Sequence, residues 1–253
     1  MDSNPLKIYR MNPYRLLLFP PLILFTAFTG CFQSSSTVTL TQRPSLGAET
    51  RGSSQSAAFS ELPRASSPTP FVSRYAPIMR AYSQEYGVDW LLVLAVMNRE
   101  SRFDKNAVSS SGAYGLMQIM PMTQIELTEK LGVDEAVSPR NNIKAGVYHL
   151  AWLYRYFKDS RRDDRIKLTL AAYNAGLERV IDARRIARYL GNDPAEWVSV
   201  KNAFPLLSSR SYSLHQRIWA DGKPMSGYMR HWSQTVAYAE DISRNYDALR
   251  TTM

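Results

Sequence analysis

The chain of 253 residues holds one cysteine and three histidines. A single cysteine excludes a disulfide framework, and His149, His215 and His231 lack the spacing of a zinc site. No metal and no cofactor is therefore expected. With 12 glycines, 14 prolines and 45% hydrophobic residues, the composition is neither collagen-like nor that of a wholly unfolded chain. No apolar run is long enough for several membrane spans. Acidic residues are outnumbered 22 to 31, so the net charge is +9, which suits an anionic partner without choosing one. The densest basic run, Arg161-Arg162-Asp163-Asp164-Arg165, carries its own acids and reads as a solvated loop. Without a nucleic-acid-binding motif, no nucleic-acid partner is expected.

Lys7, Arg10 and Arg15 precede a charge-free stretch of 14 residues, LLLFPPLILFTAFT, closed by Gly30 and Cys31. That is the layout of a secretory signal peptide. The stretch is shorter than the roughly 20 residues of a spanning helix, and Pro20-Pro21 would break a helix there. Phe28-Thr29-Gly30-Cys31 resembles the lipobox of bacterial lipoproteins, with Phe28 where leucine is usual. The resemblance implies cleavage before Cys31 and its lipidation. Phe32, in place of an aspartate after the cysteine, implies the periplasmic face of the outer membrane. Residues 32–72 are rich in Ser, Thr and Pro and poor in large apolar residues, the composition of a tether.

From residue 73 onward the periodicity is helical and alternating strand pattern is nearly absent. Helices are predicted over 75–86, with Pro77 in the first turn and Gly87 as cap, and from Trp90 after an Asp89 N-cap. Further helices are predicted over 141–157, 167–175, 177–190 and 232–249. The expected fold is a mainly α domain over 73–253, with an irregular segment at 192–228 that has room for a small hairpin. Residues 90–97 are apolar on every face, which marks a buried central helix.

Glu100 continues the face of Val93, Val96 and Met97, so a carboxylate stands where an apolar residue belongs. Desolvation there would raise its pKa toward neutrality, as a proton donor requires. Two plainer placements fit the same position: a helix end turned to solvent, or a pair with Arg99 or Arg102. Gln118 likewise interrupts the apolar run Leu116-Met117-Gln118-Ile119-Met120-Pro121. Small residues flank Tyr173-Asn174 in Ala172-Tyr173-Asn174-Ala175-Gly176, allowing close backbone approach beside an aromatic face suited to a sugar. Core packing or helix capping would account for either motif alone.

Taken in order and spacing, Glu100-Ser101, Gly115 to Pro121 and Ala172 to Gly176 resemble the three motifs of the soluble lytic transglycosylase family, related to goose-type lysozyme. The resemblance covers about residues 73–250, and the tail, with Val200 to Ser208 and Ala237-Tyr238-Ala239, resembles most the catalytic domain of the membrane-bound lytic transglycosylase F group. It implies a lysozyme-like domain with a substrate cleft and peptidoglycan glycan strands as partner. It further implies cleavage between N-acetylmuramic acid and N-acetylglucosamine, leaving 1,6-anhydromuramoyl ends. Glu100 would be the sole acid/base and Ser101 would support its helix end. Ser109 would lie near the reacting sugar, Met117 and Gln118 would line the cleft, Tyr173 and Asn174 would contact the saccharide, and Tyr238 would approach the carboxylate. Where the family often has Glu-Thr ahead of that tyrosine, this chain has Gln234-Thr235. A muramidase that uses water, or a silent peptidoglycan-binding module, are the alternatives. From residue 71 onward 25 basic residues stand against 19 acidic ones, a surplus of six that suits anionic peptidoglycan.

Overall fold

Asp89 opens the central helix of the computed structural model, its Oδ1 accepting from the Leu91 amide at 3.0 Å. The structure describes residues 70–132 and 138–253. They form nine α-helices: α1 (Pro70–Tyr86), α2 (Trp90–Ser101), α3 (Pro121–Leu131), α4 (Pro139–Tyr156), α5 (Arg162–Ala175), α6 (Leu177–Tyr189), α7 (Trp197–Ala203), α8 (Tyr212–Ile218) and α9 (Trp232–Thr252). No described helix is long and apolar enough to cross a membrane. The signal segment, Cys31 and most of the tether lie outside the described residues.

Every residue from Leu91 to Met97 is buried, as an all-round apolar helix requires. α1 and α9 pack on α2, α4 joins α1 to α5, and α5 lies along α9. Tyr246 of α9 donates to Asp89 Oδ2 at 2.7 Å, so the cap of the central helix also fixes the terminal one. Ser138 caps α4 by accepting from the Asn141 amide at 3.1 Å, with Pro139 in the first turn, where its missing N–H costs nothing.

The mainly α expectation holds, with differences at particular elements. α1 begins at Pro70, so Pro77 sits inside the helix rather than in its first turn, on an exposed face. The segment 192–228 carries α7, α8 and two short 3₁₀ turns, and no strand occurs in it. The isolated antiparallel bridges, Val108 with Tyr114 and Tyr114 with Ile119, lie in the loop between α2 and α3 instead. Nor is the charged run at 161–165 a solvated loop. It opens α5, where Asp164 accepts from the Trp197 amide at 2.9 Å and Arg162 donates to the Tyr246 hydroxyl at 3.0 Å. Arg165 donates to the Tyr154 carbonyl at 2.6 Å and lies 3.7 Å over the Tyr154 ring. These three charges join α5 to its neighbours.

Candidate active site

The last turn of α2 brings Glu100 out of the apolar core at its edge, where the carboxylate is half-buried. Helix propagation stops immediately after it, because Arg102 (φ 49°) and Phe103 (φ 69°) are both left-handed. Two such non-glycine residues in succession are strained and need local bonding to hold them. Ser101 supplies it: its Oγ accepts from the Phe103 amide at 3.0 Å and donates to the Leu116 carbonyl at 2.9 Å. Ser101 therefore fixes the helix end beside Glu100 to the loop ahead of α3.

That loop is braced from within. Tyr114 and Ile119 exchange two backbone bonds of 3.1 Å, and Ser109 closes a turn by accepting from the Ala113 amide at 2.9 Å. Gln118, itself at φ 46°, donates its side-chain amide to the carbonyls of Ala107 (3.0 Å) and Gly115 (2.9 Å). From below, Asn142 of α4 accepts from the Met117 amide at 2.8 Å and donates to the Tyr114 carbonyl at 3.0 Å. A Cβ on Gly115 would stand 2.7 Å from the Asn142 side chain, and one on Gly146 would stand 2.5 Å from that of Met117. Both glycines are therefore demanded by close approach between loop and helix.

Two tyrosines close the site from the other side. Tyr238 of α9 donates its hydroxyl to Glu100 Oε1, and Tyr173 of α5 donates to the Met117 carbonyl at 2.8 Å. On α9, Thr235 is one turn before Tyr238 and donates to Asn174 Oδ1 at 2.9 Å, fixing the residue next to Tyr173. The His149 ring lies 5.5 Å from that of Tyr173.

Burial governs the electrostatics. It raises the Glu100 pKa from 4.5 to about 7, against the opposing effects of the Tyr238 hydrogen bond and the Arg99 charge. Both Tyr238 and Tyr173 are raised well above the usual tyrosine value by burial and by the nearby Glu100 carboxylate, so both stay protonated donors. His149 is lowered to about 4 by burial and by Lys130, and is neutral at pH 7. Such an arrangement can hold a proton on Glu100 near neutral pH, deliver it, and take one back. Among the described residues, no group of three or more His, Cys, Asp or Glu is placed to hold a metal ion.

Of the residues singled out in the sequence, Glu100, Ser101, Gln118, Tyr173 and Tyr238 are joined through this set of bonds. Ser109 is a turn residue of the same loop, and Asn174 is exposed. Met117 differs from expectation: its side chain is fully buried against Gly146 and does not line an open surface, so only its backbone serves the site. Asp104 is exposed and accepts from the Asn106 amide at 2.9 Å. Asn142, His149 and Thr235 were not foreseen. Asn142 carried a usable signal, since it lies one turn before Gly146 on the apolar face of α4 and so breaks that face as Glu100 breaks its own.

The family model described as "Transglycosylase SLT domain" matches residues 77–194. A membrane-bound lytic murein transglycosylase F of Desulfosudis oleivorans is 38% identical over 179 residues, which are 70% of this chain and 36% of that protein. A protein of the same name in Pasteurella multocida is 32% identical over 177 residues, covering 70% of this chain and 33% of its own length. The chain thus spans about a third of the length of these curated relatives. Among solved structures, the 70 kDa soluble lytic transglycosylase of Escherichia coli aligns with a TM-score of 0.48 at 21% identity, over 71% of this chain and 26% of that one. The match at 77–194 takes in Glu100, the braced loop with Gln118, and Tyr173-Asn174, so the residues that build the site are those that match the transglycosylase SLT domain family.

Proposed function

We propose that residues 73–253 are a peptidoglycan lytic transglycosylase that cleaves the β-1,4 bond between N-acetylmuramic acid and N-acetylglucosamine, with Glu100 as sole acid and base. The observation that carries this reading is the state of Glu100, a carboxyl raised to about 7 by burial and held by Tyr238. Among the described residues, the charge that acts on it is that of Arg99, and no second carboxylate acts on it. A hydrolase of the usual kind pairs two carboxylates about 5–9.5 Å apart across the scissile bond. With one carboxylate, the nucleophile comes from the substrate.

The steps balance without water. Protonated Glu100 gives its proton to the bridging oxygen, the C1–O bond breaks, and the positive charge left at C1 of the muramic sugar is shared with its N-acetyl oxygen. Glu100, now a carboxylate, takes the proton of the 6-hydroxyl, and that oxygen bonds C1 to close the 1,6-anhydro ring. Glu100 ends protonated, ready for the next cycle. In this reading Tyr238 orients the carboxyl, Ser101 holds its helix end, and Gln118 and the Met117 backbone shape the floor. Tyr173 and Asn174 contact the saccharide, and Ser109 sets the loop near the reacting sugar.

The same reading takes residues 1–31 as a lipoprotein signal, Cys31 as the lipidated residue, and 32–72 as a tether on the periplasmic face of the outer membrane. The signal-like layout and the membrane-bound relatives support it.

The deciding experiment incubates the protein with purified sacculi and weighs the released muropeptides before and after borohydride treatment. Ends one water lighter than reducing ends, and inert to borohydride, are expected. Reducible ends would make the protein a muramidase, and no release at all would leave a binding module. A second expected result concerns Tyr238→Phe. The Tyr238 hydrogen bond lowers the Glu100 pKa, so its removal raises that pKa further. Activity that requires protonated Glu100 falls as pH rises through about 7 in the wild type, and in Tyr238→Phe this limb should move upward by about one unit. A limb that stays in place would sever Tyr238 from the proton donor.

A further inference from the structure

The start of α9, one to two turns before Tyr238, opens on a cavity of about 440 Å³. Its wall includes Arg179 of α6, Arg230 and His231 ahead of α9, Asn174 at the end of α5, and Gln234 and Thr235 of α9. The lining includes no aspartate or glutamate. Arg179 donates one bond of 2.7 Å to the Ala175 carbonyl, and neither it nor Arg230 belongs to an ion pair among the described residues. Two guanidinium groups thus line one concave surface whose described lining holds no carboxylate. α9 starts there without a side-chain cap and without an acid in its first turn, so its positive end adds to the same field.

The cavity is coupled to the carboxyl by register. His231, Gln234, Thr235 and Tyr238 are spaced i, i+3, i+4, i+7 along α9, so the cavity wall and the tyrosine that holds Glu100 share one helical stripe. Thr235, one turn before Tyr238, lines the cavity and donates to Asn174, the residue after Tyr173. A ligand whose sugar lies at Glu100 would reach the cavity with a substituent.

We infer that this cavity binds a free carboxylate of the peptide carried by the muramic acid, with Arg230 and Arg179 as the recognising groups. The inference rests on the proposed peptidoglycan substrate and adds a peptide-side specificity to it. Arginine suits the task because its planar donors match the two oxygens of a carboxylate. The position Gln234, neutral where an acid would face the same cavity, keeps the field positive.

The test separates binding from turnover by using the full chain with Glu100→Gln, and by comparing sacculi as isolated with sacculi whose peptide carboxylates have been converted to amides. Adding Arg230→Gln should weaken binding to untreated sacculi about tenfold, the loss of one charge-assisted bond. It should change binding to amidated sacculi little. Arg188→Gln, which removes the same charge from an exposed site on α6, controls for general attraction. Equal weakening on both kinds of sacculi, or a loss with Arg188→Gln as large as with Arg230→Gln, would overturn the inference. Binding is read whether or not the wild type releases product, so failure of the proposed reaction is distinguished from failure of the cavity.

Discussion

Glu100→Gln is expected to abolish release of anhydro-ended muropeptides, lowering the rate by roughly a thousandfold, the scale of a general acid and base combined. The substitution retains the volume and leaves a carbonyl oxygen to accept the Tyr238 hydroxyl, so the site should keep its shape. What it removes is the proton. Since Glu100 both donates and accepts, no second residue in the braced loop can rescue either half of the cycle. Residual activity within tenfold of wild type would mean that the proton comes from elsewhere.

The same variant has an opposite effect on stability, with a definite sign. Glu100 titrates near its ordinary 4.5 in the unfolded chain and at about 7 when folded. Between these values the native state binds the extra proton, so native stability falls as pH rises through that window. Above pH 7 a buried charge is carried at a cost of about 3 kcal/mol, in which the opposing effects of Tyr238 and Arg99 are already counted. A glutamine side chain at this position cannot ionise. Glu100→Gln should therefore melt several degrees above the wild type at pH 8, at about 2–4 °C per kcal/mol, and converge with it near pH 4.5. Equal melting temperatures at pH 8 would show a solvated carboxylate and remove the argument for a raised pKa.

How far the site could be read from residues alone follows from which interactions are local. Glu100 was legible because a helix repeats every 3.6 residues, and one carboxylate out of phase is visible on a single strip of sequence. The cap at Asp89 and the boundaries of α4 were legible for the same local reason. α3 was not, because its apolar residues Met122 and Ile125 are exposed and Leu127 alone is buried, leaving no stripe to count. Only its ends carried signals, Pro121 at the start and Gly132 at the close. Met117 was misplaced because burial against Gly146 depends on two segments 29 positions apart meeting at a glycine. The charged run at 161–165 misled for a like reason, since its partners Tyr154, Trp197 and Tyr246 belong to three other helices. Tyr238 lies 138 residues beyond Glu100, and periodicity cannot bring the two together; only the family resemblance did.

Asn142 offers the largest structural effect outside the acid itself. Asn142→Ala would leave the Met117 amide without a partner, in a region where Met117 is fully buried, and would take one of two donors from the Tyr114 carbonyl, which keeps the Ile119 amide. The orphaned amide costs about 1–3 kcal/mol and the lost bond to Tyr114 about 1 kcal/mol more, so a loss of about 2–4 kcal/mol and a fall of roughly 8 °C in Tm are expected. Activity should fall with it, because the loop that Asn142 holds also supplies the Leu116 carbonyl to Ser101, next to Glu100. Asn142→Asp separates the two bonds. It keeps an oxygen for the Met117 amide but sets a second oxygen against the Tyr114 carbonyl, where an N–H stood. Ionised, it should be at least as unstable as the alanine variant; protonated, its O–H restores a donor. The stability of Asn142→Asp relative to wild type should therefore recover as pH falls from about 8 toward about 4, through the range in which a buried carboxyl takes up its proton, while that of Asn142→Ala should not. Parallel behaviour of the two variants with pH, or an alanine variant melting within about 2 °C of wild type, would show that the loop is held by its own backbone bridges and not by α4.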